Sequence, residues 1–262
     1  MAMAPITGLI VDIDGVVYRG STPLPGAIDA INALSERLKV LFLTNNSTRS
    51  RAQYRERLSS MGIDMERCSV LNSSRATALH LSRSGIHSTL VIGESGLVDE
   101  LVLEGIQIVD RNAEAVVVGL DRSFSYEKMA AGLREVLGGA TFVATNPDPT
   151  IPDEEGLLPG NGAQVAALQR ASGVEPLVVG KPEHIIMDIA LDELGTSPEH
   201  ILTIGDRLDT DILAGIRAGT KTCLVLTGAT GRDDLKETDI RPDHVLESIA
   251  DLPALLDSLE RQ

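Results

Sequence analysis

Residues 6–17 read ITGLIVDIDGVV, an apolar and β-branched run that breaks off into two aspartates and a glycine. The run predicts a short buried strand, and Asp12 and Asp14 lie at its carboxyl end, directly before Gly15. Ligands of open α/β sheets bind at the carboxyl ends of strands, and carboxylates at a buried strand end cost desolvation free energy unless a cation or a proton compensates. The stretch therefore indicates a functional strand end, with a plain turn closed by Asx hydrogen bonds as the alternative.

Outward from this strand, short apolar runs alternate with helical patterns along the whole chain. Continuous apolar strands separated by helices are typical of a parallel sheet covered on both faces, so the predicted fold class is α/β. Further strands are predicted at 40–43, 90–92, 116–118, 141–144, 201–204 and 222–226. Helices are predicted at 26–37, from near Ser47 or Thr48 to Gly62, and at 126–137, 160–171, 182–194 and 246–260.

The composition favours a folded protein that binds neither nucleic acid nor membranes. The chain has 262 residues, 43% of them hydrophobic, which suffices for one large core or two smaller ones. It carries 23 basic and 38 acidic residues, a formal net charge of −15, which repels phosphate backbones and anionic lipids. Three Phe, three Tyr and no Trp leave few rings for stacking on bases. A small anionic substrate would therefore need a local positive site, such as a metal ion.

Targeting and cysteine patterns predict a cytoplasmic protein. No apolar run approaches the ~18–20 residues that span a bilayer, and the first residues, MAMA, lack the basic region of a secretory signal. Cys68 and Cys223 lie far apart and form no CxxC pair, so neither a zinc site nor a disulfide framework is expected. A reducing compartment is therefore the expectation.

Two further motifs are suited to binding an anion. Thr44 and Asn45 follow the predicted strand 40–43, where a hydroxyl and main-chain N–H groups either face a ligand or simply cap the next helix. Lys181 lies in a Gly-Lys-Pro sequence directly before the predicted helix 182–194. Because a single lysine is usually a solvated surface residue, this motif gains meaning only in combination with the others.

A second acidic motif, GDRLDTD, occupies residues 205–211, directly after the predicted strand 201–204. Its carboxylates, on Asp206, Asp209 and Asp211, are oxygen ligands suited to a hard cation. Acids that complement the N-terminus of a helix would explain Asp209 or Asp211. They do not explain Asp206 at the very end of a buried strand, so a metal-ligating role is the better interpretation for that residue.

Together and in this order, the motifs resemble those of the haloacid dehalogenase-like (HAD) superfamily of phosphohydrolases. Asp-x-Asp at the first strand, Thr-Asn after the second, a later Lys and Gly-Asp-x-x-x-Thr-Asp extend the resemblance over essentially the whole chain. The resemblance implies a Rossmann-like, doubly wound parallel sheet. It also implies that Asp12 is the nucleophile and Asp14 the general acid and base. Thr44, Asn45 through its main chain, and Lys181 would hold the phosphoryl group.

The same resemblance implies a Mg²⁺ site. The carboxylates of Asp12 and Asp206 and the main-chain carbonyl of Asp14 would be its ligands. Asp211 would orient a metal-bound water, whereas Asp209 resembles a helix cap more than a ligand. Mg²⁺ prefers oxygen ligands and keeps several of its waters, which agrees with this donor set.

The spacing of the motifs predicts an inserted domain. Thr44 and Lys181 are 137 positions apart, whereas one β-α-β unit needs only about 30 residues. The insertion is expected at 80–178, within a core formed by 1–79 and 179–262. It resembles the large α/β cap of the HAD branch that contains the NagD-type nucleotidases, the 4-nitrophenyl phosphatases, and the phosphoglycolate and pyridoxal phosphate phosphatases.

Similarity to this branch also implies how the substrate is recognised. A Thr-Asn-x-Asp loop of the cap faces the active site there, so Asn146 and Asp148 are expected substrate contacts, with a proline turn as the alternative. Caps of this branch often pair, which implies a homodimer through the cap. The core binds only the phosphoryl group, and the sequence does not identify the rest of the metabolite.

The sequence therefore predicts a Mg²⁺-dependent phosphomonoester hydrolase that acts on a small phosphorylated metabolite through an aspartyl-phosphate. Three alternatives remain open. A dehalogenase shares the fold and the nucleophile but uses neither Mg²⁺ nor a second acid. A phosphosugar mutase retains these residues but usually carries a smaller helical cap soon after the first motif. A non-enzymatic, receiver-like phospho-acceptor module is much shorter and has a different motif order.

Overall fold

A computed structural model describes residues 5–153 and 156–261 of the chain. The strands, in chain order, are β1 (Gly8–Val11), β2 (Tyr18–Arg19), β3 (Thr22–Pro23), β4 (Lys39–Thr44), β5 (Cys68–Asn72), β6 (Ser88–Ile92), β7 (Gln107–Ile108), β8 (Ala115–Val118), β9 (Thr141–Ala144), β10 (Thr150–Asp153), β11 (Gly156–Pro159), β12 (Leu177–Val178), β13 (Ile201–Gly205), β14 (Lys221–Val225) and β15 (His244–Leu246). The helices are α1 (Ala27–Ser35), α2 (Arg51–Ser60), α3 (Ser73–Arg83), α4 (Ser95–Leu103), α5 (Tyr126–Leu137), α6 (Asn161–Ser172), α7 (His184–Leu194), α8 (Leu213–Ala218) and α9 (Leu252–Leu259). Short 3₁₀ helices span Pro198–His200, Asp234–Lys236 and Ile249–Asp251, and a π-helical turn spans Leu208–Ile212.

The described residues form two compact units. The first unit consists of residues 5–44, 54–71 and 187–261. The second unit consists of residues 45–53, 72–153 and 156–186. The described part of the insertion expected at 80–178 falls within the second unit, which also includes residues on either side of that interval. The domain boundaries themselves stay a prediction.

The first unit is built on a sheet whose central strands are fully buried. Its strand order is β15-β14-β13-β1-β4-β5, and β1 pairs in parallel with β13 on one side and with β4 on the other. Every residue of β1 and β13 is buried, which explains why both sequences are nearly continuous apolar runs. Leu34 of α1 and Leu256 of α9 pack in one apolar cluster with these strands. The parallel pairing brings the carboxyl ends of β1, β4 and β13 to the same edge of the sheet.

The second unit is built on another sheet, with the strand order β12-β9-β8-β6-β7. Each neighbouring pair of strands in this sheet is parallel, whereas β10 and β11 form a separate antiparallel hairpin. Val116 and Phe142 of the sheet pack in one apolar cluster with Val136 of α5 and with Val165 and Leu168 of α6. The second unit therefore has an apolar core of its own.

The predicted α/β class with parallel sheets is confirmed in both units. In the sequence patterns, however, β5, α3 and α4 go undetected. Asn72 ends β5 and at the same time caps α3, because its side chain accepts the Arg75 N–H. The strand thus runs into the helix without the turn residues that separate most elements. No helix within 5–153 and 156–261 is both long and apolar enough to cross a membrane.

The expected final helix, 246–260, begins too early. Leu246 is the last residue of β15, which pairs with β14, and a 3₁₀ turn over Ile249–Asp251 precedes α9. The physical reason is a capping box: the Ser248 side chain accepts the Ala250 N–H, and the Asp251 carboxylate accepts the Ser248 N–H. These bonds start the helical segment after Ser248, so it does not begin at residue 246.

The start of α2 is likewise later than expected. The helix begins at Arg51 rather than near Ser47 or Thr48. Ser50 and Gln53 form a reciprocal capping box, in which each side chain accepts the main-chain N–H of the other residue. The Ser-x-x-Gln pattern over Ser50–Gln53 that marks this start is present in the sequence, three residues after Ser47.

Candidate active site

Three predicted site residues emerge from neighbouring strands at one edge of the first sheet. Asp12 directly follows β1, and its N–H donates to the Ile204 carbonyl at 2.9 Å, which extends the pairing with β13 by one residue. Asp206 directly follows β13, and Thr44 is the buried last residue of β4. Because β1 lies between these two strands, Asp12 stands in the middle of the row. The grouping expected from strand ends is therefore present within the first unit.

Three carboxylates converge at this edge, on Asp12, Asp206 and Asp211. Each offers an oxygen atom, and these atoms all lie within 4.8 Å of one another. Asp206 and Asp211 are buried and Asp12 is half-buried. We call these residues the aspartate cluster. Ionised carboxylates this close repel one another, and oxygen donors in such a group fit a hard divalent cation such as Mg²⁺.

Glycines allow the main chain to approach the cluster closely. A Cβ atom at Gly205 would lie 2.1 Å from the Asp211 Cβ, and one at Gly228 would lie 1.8 Å from Asp206 Oδ2. The N–H of Ala229 donates to that same Asp206 oxygen at 2.7 Å. Any side chain at these two glycines would therefore displace a carboxylate of the cluster.

Asp14 differs from the three clustered acids because its side chain is exposed. Gly15, which follows it, has a φ of +82°, a conformation that favours glycine. The Thr227 hydroxyl donates to the Gly15 carbonyl at 2.7 Å, and a Cβ at Gly15 would lie 2.5 Å from Asp206 Oδ2. The turn thus points the two acids of the Asp-x-Asp motif into different environments. The general acid and base role of Asp14 stays a prediction.

The loop that follows β14 was not identified from the sequence. Its sequence is TGAT over residues 227–230. Thr227, Gly228 and Ala229 approach Gly15 and Asp206 as described above, and the Thr230 N–H donates to the Asp206 carbonyl at 3.1 Å. A usable signal existed, because the predicted strand 222–226 ends at the same sheet edge as the motifs. Small residues directly after such a strand fit a loop that must approach a buried carboxylate.

The other acid of the GDRLDTD motif lies outside the cluster. Asp209 has an exposed side chain that forms an ion pair with Arg207 at 3.0 Å. Asp211, in contrast, is buried and its Oδ2 accepts the main-chain N–H of Arg207 at 3.1 Å. The two acids therefore lie in different environments, with Asp209 away from the three grouped carboxylates.

Four other predicted site residues come together within the second unit. Asn45 donates through Nδ2 to the Lys181 carbonyl at 2.9 Å and accepts the Lys181 N–H through Oδ1 at 2.8 Å. The same Nδ2 lies 3.2 Å from Asp148 Oδ2, and Asn146 Nδ2 donates to the Asn45 carbonyl at 2.8 Å. We call Asn45, Asn146, Asp148 and Lys181 the Asn45 network. Lys181 is only 3% exposed, unlike an ordinary surface lysine, whereas nearby His184 is exposed at the start of α7.

Two family models match this chain. A model described as haloacid dehalogenase-like hydrolase matches residues 9–107, and a HAD-hydrolase-like model matches residues 178–252. The 5′-nucleotidase YutF of Bacillus subtilis (strain 168) is 39% identical over 251 residues, which cover 95% of this chain and 98% of YutF. The chain belongs to the haloacid dehalogenase-like hydrolases, and within them it is a phosphatase.

Solved structures define the branch. The p-nitrophenyl phosphatase from Archaeoglobus fulgidus superposes with a TM-score of 0.92 at 39% identity, covering 97% of this chain and 100% of that one. NagD from Escherichia coli K-12 superposes with a TM-score of 0.88 at 35% identity, covering 94% of this chain and 98% of NagD. The predicted resemblance to NagD-type and nitrophenyl phosphatases is confirmed.

Proposed function

We propose that this protein is a Mg²⁺-dependent phosphomonoester hydrolase that acts on a small phosphorylated metabolite through an aspartyl-phosphate intermediate. The observation that carries the proposal is the aspartate cluster, in which three carboxylate oxygens lie within 4.8 Å at the end of the central strands. Like charges this close repel one another, which a bound cation would offset. Carboxylate oxygens are also the ligands that Mg²⁺ prefers. Bound Mg²⁺ would neutralise the cluster and permit an anionic nucleophile to approach an anionic phosphate.

The chemistry is proposed to pass through two displacements at phosphorus. An Asp12 carboxylate oxygen attacks phosphorus in line, the bond from phosphorus to the ester oxygen breaks, and Asp14 protonates the leaving alkoxide. Asp14 then removes a proton from the water that attacks the aspartyl-phosphate, which releases inorganic phosphate and restores Asp12. The membership of Asp12 in the cluster and the exposed position of Asp14 support this division of roles.

The metal is proposed to bind the carboxylates of Asp12 and Asp206 and the main-chain carbonyl of Asp14. The buried position of Asp206 and its place in the cluster support its role as a ligand. Asp211 is proposed to orient a metal-bound water, and its carboxylate lies close enough to the other two for that role. The exposed Asp209 is left out of this set because it pairs with Arg207.

The phosphoryl oxygens are proposed to bind the Thr44 hydroxyl, the Asn45 main-chain N–H and the Lys181 ammonium. Positive and hydrogen-bonding groups around the transferred phosphoryl supply most of the stabilisation in such reactions. The burial of Thr44 supports its role, and so does its place at the same sheet edge as Asp12. For Lys181, the support is its burial and its fixed main chain.

The remainder of the substrate is proposed to be recognised by the expected cap, 80–178, with Asn146 and Asp148 as contacts. Relatives are named as a 5′-nucleotidase, a p-nitrophenyl phosphatase and an acid sugar phosphatase. Nucleoside monophosphates, aryl phosphates and sugar phosphates therefore form the substrate panel. The net charge of −15 supports a small-molecule partner over nucleic acid or membrane. We also propose a cytoplasmic location and a homodimer that forms through the cap.

The first test is phosphate release from 4-nitrophenyl phosphate with Mg²⁺, and again with excess EDTA. We expect turnover that EDTA abolishes and that added Mg²⁺ restores. Activity that does not respond to EDTA would contradict the metal dependence, and a protein that releases no phosphate from any ester of the panel would contradict the hydrolase. A phosphorylated protein that accumulates without turnover would point to the phospho-acceptor alternative.

The second test separates the nucleophile from the acid. Asp12→Asn should abolish turnover of every substrate and prevent capture of beryllium fluoride, which mimics the aspartyl-phosphate. Asp14→Asn should still capture beryllium fluoride and should lose much less activity on aryl than on alkyl phosphates, because an aryl leaving group needs little protonation. Equal losses on both substrate types, or an adduct on Asp14, would reverse the assignment.

A further inference from the structure

The Asn45 side chain hydrogen-bonds both main-chain groups of a residue 136 positions later, and its Nδ2 also lies 3.2 Å from Asp148 Oδ2. Its amide donates to the Lys181 carbonyl at 2.9 Å and accepts the Lys181 N–H at 2.8 Å. Both residues are buried, with 8% of Asn45 and 3% of Lys181 exposed. Two hydrogen bonds from one planar amide to both main-chain groups of one residue fix the position of that residue and the direction of its main chain.

Gly180 permits this contact. A Cβ atom at Gly180 would lie 2.6 Å from Asn45 Oδ1 and 2.5 Å from the Thr145 carbonyl oxygen. Both distances are shorter than real carbon contacts allow, so the Asn45 amide reaches the Lys181 main chain only because residue 180 has no side chain. This explains the glycine of the Gly-Lys-Pro sequence, which was uninformative by itself.

The Asn45 main chain is itself held by hydrogen bonds from two side chains. Its carbonyl accepts the Ser73 hydroxyl at 2.6 Å and the Asn146 amide at 2.8 Å. Ser73 and Asn146 are both buried, so these bonds are shielded from competing water. Two donors thus fix the Asn45 carbonyl, and the Asn45 side chain in turn fixes the Lys181 main chain.

We propose that Asn45 is a positioning residue for phosphate binding. Its side chain holds the Lys181 main chain in one position, which limits where the Lys181 ammonium can lie when it binds the phosphoryl group. A lysine side chain has four rotatable bonds, and a mobile main chain would add further freedom that binding must remove. Thr44, another proposed phosphate ligand, directly precedes Asn45 in the chain. The inference rests on the proposed function, which makes Lys181 a phosphate ligand.

A double-mutant cycle tests the inference. Asn45→Ala removes both bonds to Lys181, and Lys181→Met removes the ammonium while leaving the main chain in place. For 4-nitrophenyl phosphate hydrolysis we expect kcat/KM to fall about 1,000-fold in Lys181→Met and about tenfold in Asn45→Ala. The double variant should be no worse than Lys181→Met alone, because the effect of the Asn45 side chain on phosphate binding is inferred to pass through the lysine.

A matched control separates positioning from general loosening. Gln164 makes the same kind of paired contact with the main chain of Asp121 in the same unit, donating to its carbonyl at 2.8 Å and accepting its N–H at 3.0 Å. Gln164→Ala and Asn45→Ala should lower the thermal unfolding midpoint by similar amounts. Only Asn45→Ala should raise the inhibition constant of inorganic phosphate, by about tenfold, and it should raise KM more than it lowers kcat.

The possible outcomes separate the inference from the function on which it rests. Losses that multiply in the double variant, or an equal rise of the inhibition constant in Gln164→Ala, would overturn the positioning role while leaving the hydrolase in place. Full activity of Lys181→Met would overturn both the lysine's phosphate role and the positioning role. An unaltered protein that releases no phosphate in the presence of Mg²⁺ would overturn the proposed function itself, and with it the inference.

Discussion

The aspartate cluster of the first unit and the Asn45 network of the second are both polar groups with mostly buried members, yet they are organised in opposite ways. In the cluster, three side chains of the same formal charge have oxygen atoms within 4.8 Å of one another. In the network, an amide satisfies main-chain groups, and the ionisable members Asp148 and Lys181 have opposite formal charges. The cluster brings like charges together, which a bound cation would stabilise, whereas the network joins an amide to main-chain groups through hydrogen bonds.

The difference indicates which group responds to a ligand. At an effective dielectric constant of about 20, a pair of like charges ~4.8 Å apart repels by about 3 kcal/mol, and a cation that binds among them recovers that energy. The Asn45 network gains nothing comparable from a metal. Variants of the cluster should therefore change the response to Mg²⁺, and variants of the network should change phosphate binding without changing that response.

The largest effect is expected for Asp206→Asn. We expect kcat/KM to fall about 1,000-fold and Mg²⁺ affinity to fall at least tenfold, since a charged ligand is lost while Asn can still accept the Ala229 N–H. Without metal, the thermal unfolding midpoint should rise by a few degrees, because one source of repulsion is removed. Titration calorimetry measures the Mg²⁺ affinity, and thermal unfolding with and without Mg²⁺ measures the midpoint.

Asp209→Asn is the control for Asp206→Asn, because Asp209 lies in the same motif but is exposed and paired with Arg207. It should leave Mg²⁺ affinity and activity within about twofold, since exposed ion pairs contribute little. Unchanged Mg²⁺ binding in Asp206→Asn would remove Asp206 from the metal site, and equal effects of the two substitutions would contradict the distinction between clustered and exposed acids.

A pair of glycine substitutions compares the two groups directly. Gly205→Ala places a methyl 2.1 Å from the Asp211 Cβ, and Gly180→Ala places one 2.6 Å from Asn45 Oδ1. Each should lower the free energy of unfolding by about 2–3 kcal/mol, the usual cost of overpacking. Gly205→Ala should weaken Mg²⁺ binding, and Gly180→Ala should weaken phosphate inhibition instead. Calorimetry measures the Mg²⁺ affinity of both variants, and inhibition assays measure their phosphate binding. A change of Mg²⁺ affinity in Gly180→Ala would contradict the distinction between the cluster and the network.

Glu100 provides a buried carboxylate that is already satisfied. It is 2% exposed, accepts the Arg51 N–H at 2.6 Å and pairs with the Arg51 side chain at 3.3 Å. Glu100→Gln should lower the free energy of unfolding by about 2 kcal/mol, because one charged partner of a largely buried pair is lost. Urea unfolding should give the same loss with and without Mg²⁺.

The reference for Glu100→Gln is Glu66→Gln, which alters a carboxylate that is 92% exposed and 3.8 Å from Arg55. Its effect on unfolding should be close to zero. If Glu100→Gln were stabilising, as we expect of Asp206→Asn without metal, the contrast between satisfied and repelling acids would fail.

Apart from the control substitutions, the smallest effect is expected for Asp243→Asn. Burial opposes ionisation of Asp243, but hydrogen bonds from Lys221 and Thr222 outweigh it and hold the pKa of Asp243 below its usual range. A carboxyl with a lowered pKa stabilises the fold above its unfolded pKa, near 4, and loses that contribution as pH falls through the folded value. Asp243→Asn should therefore lower the free energy of unfolding by about 1 kcal/mol at pH 7.

Urea unfolding from pH 7 to pH 3 checks this prediction. The difference between Asp243→Asn and the unaltered protein should stay constant from pH 7 to about pH 5 and shrink below about pH 4. A difference that grows on acidification would contradict the assigned sign. Unlike Asp206→Asn, this substitution should never stabilise the protein.

The grouping of Asp12, Thr44 and Asp206 at one sheet edge could be predicted because each of these positions is encoded in a few consecutive residues. Asp12, Thr44 and Asp206 each follow or end a buried apolar strand, and parallel strands place such positions at one edge. Helix starts are also local, although a reciprocal pair such as Ser50 and Gln53 must be matched to the right serine.

Contacts between distant segments were decided only by the tertiary structure. Nothing near Asn45 or Lys181 in the sequence specifies that the amide of one meets the main chain of the other 136 positions later. The same holds for the loop after β14, whose Ala229 N–H reaches Asp206. Apolar periodicity and caps depend on neighbours within one or two turns, so they can be predicted from sequence. Pairing between remote polar groups depends on how whole elements pack, which no short stretch of sequence contains.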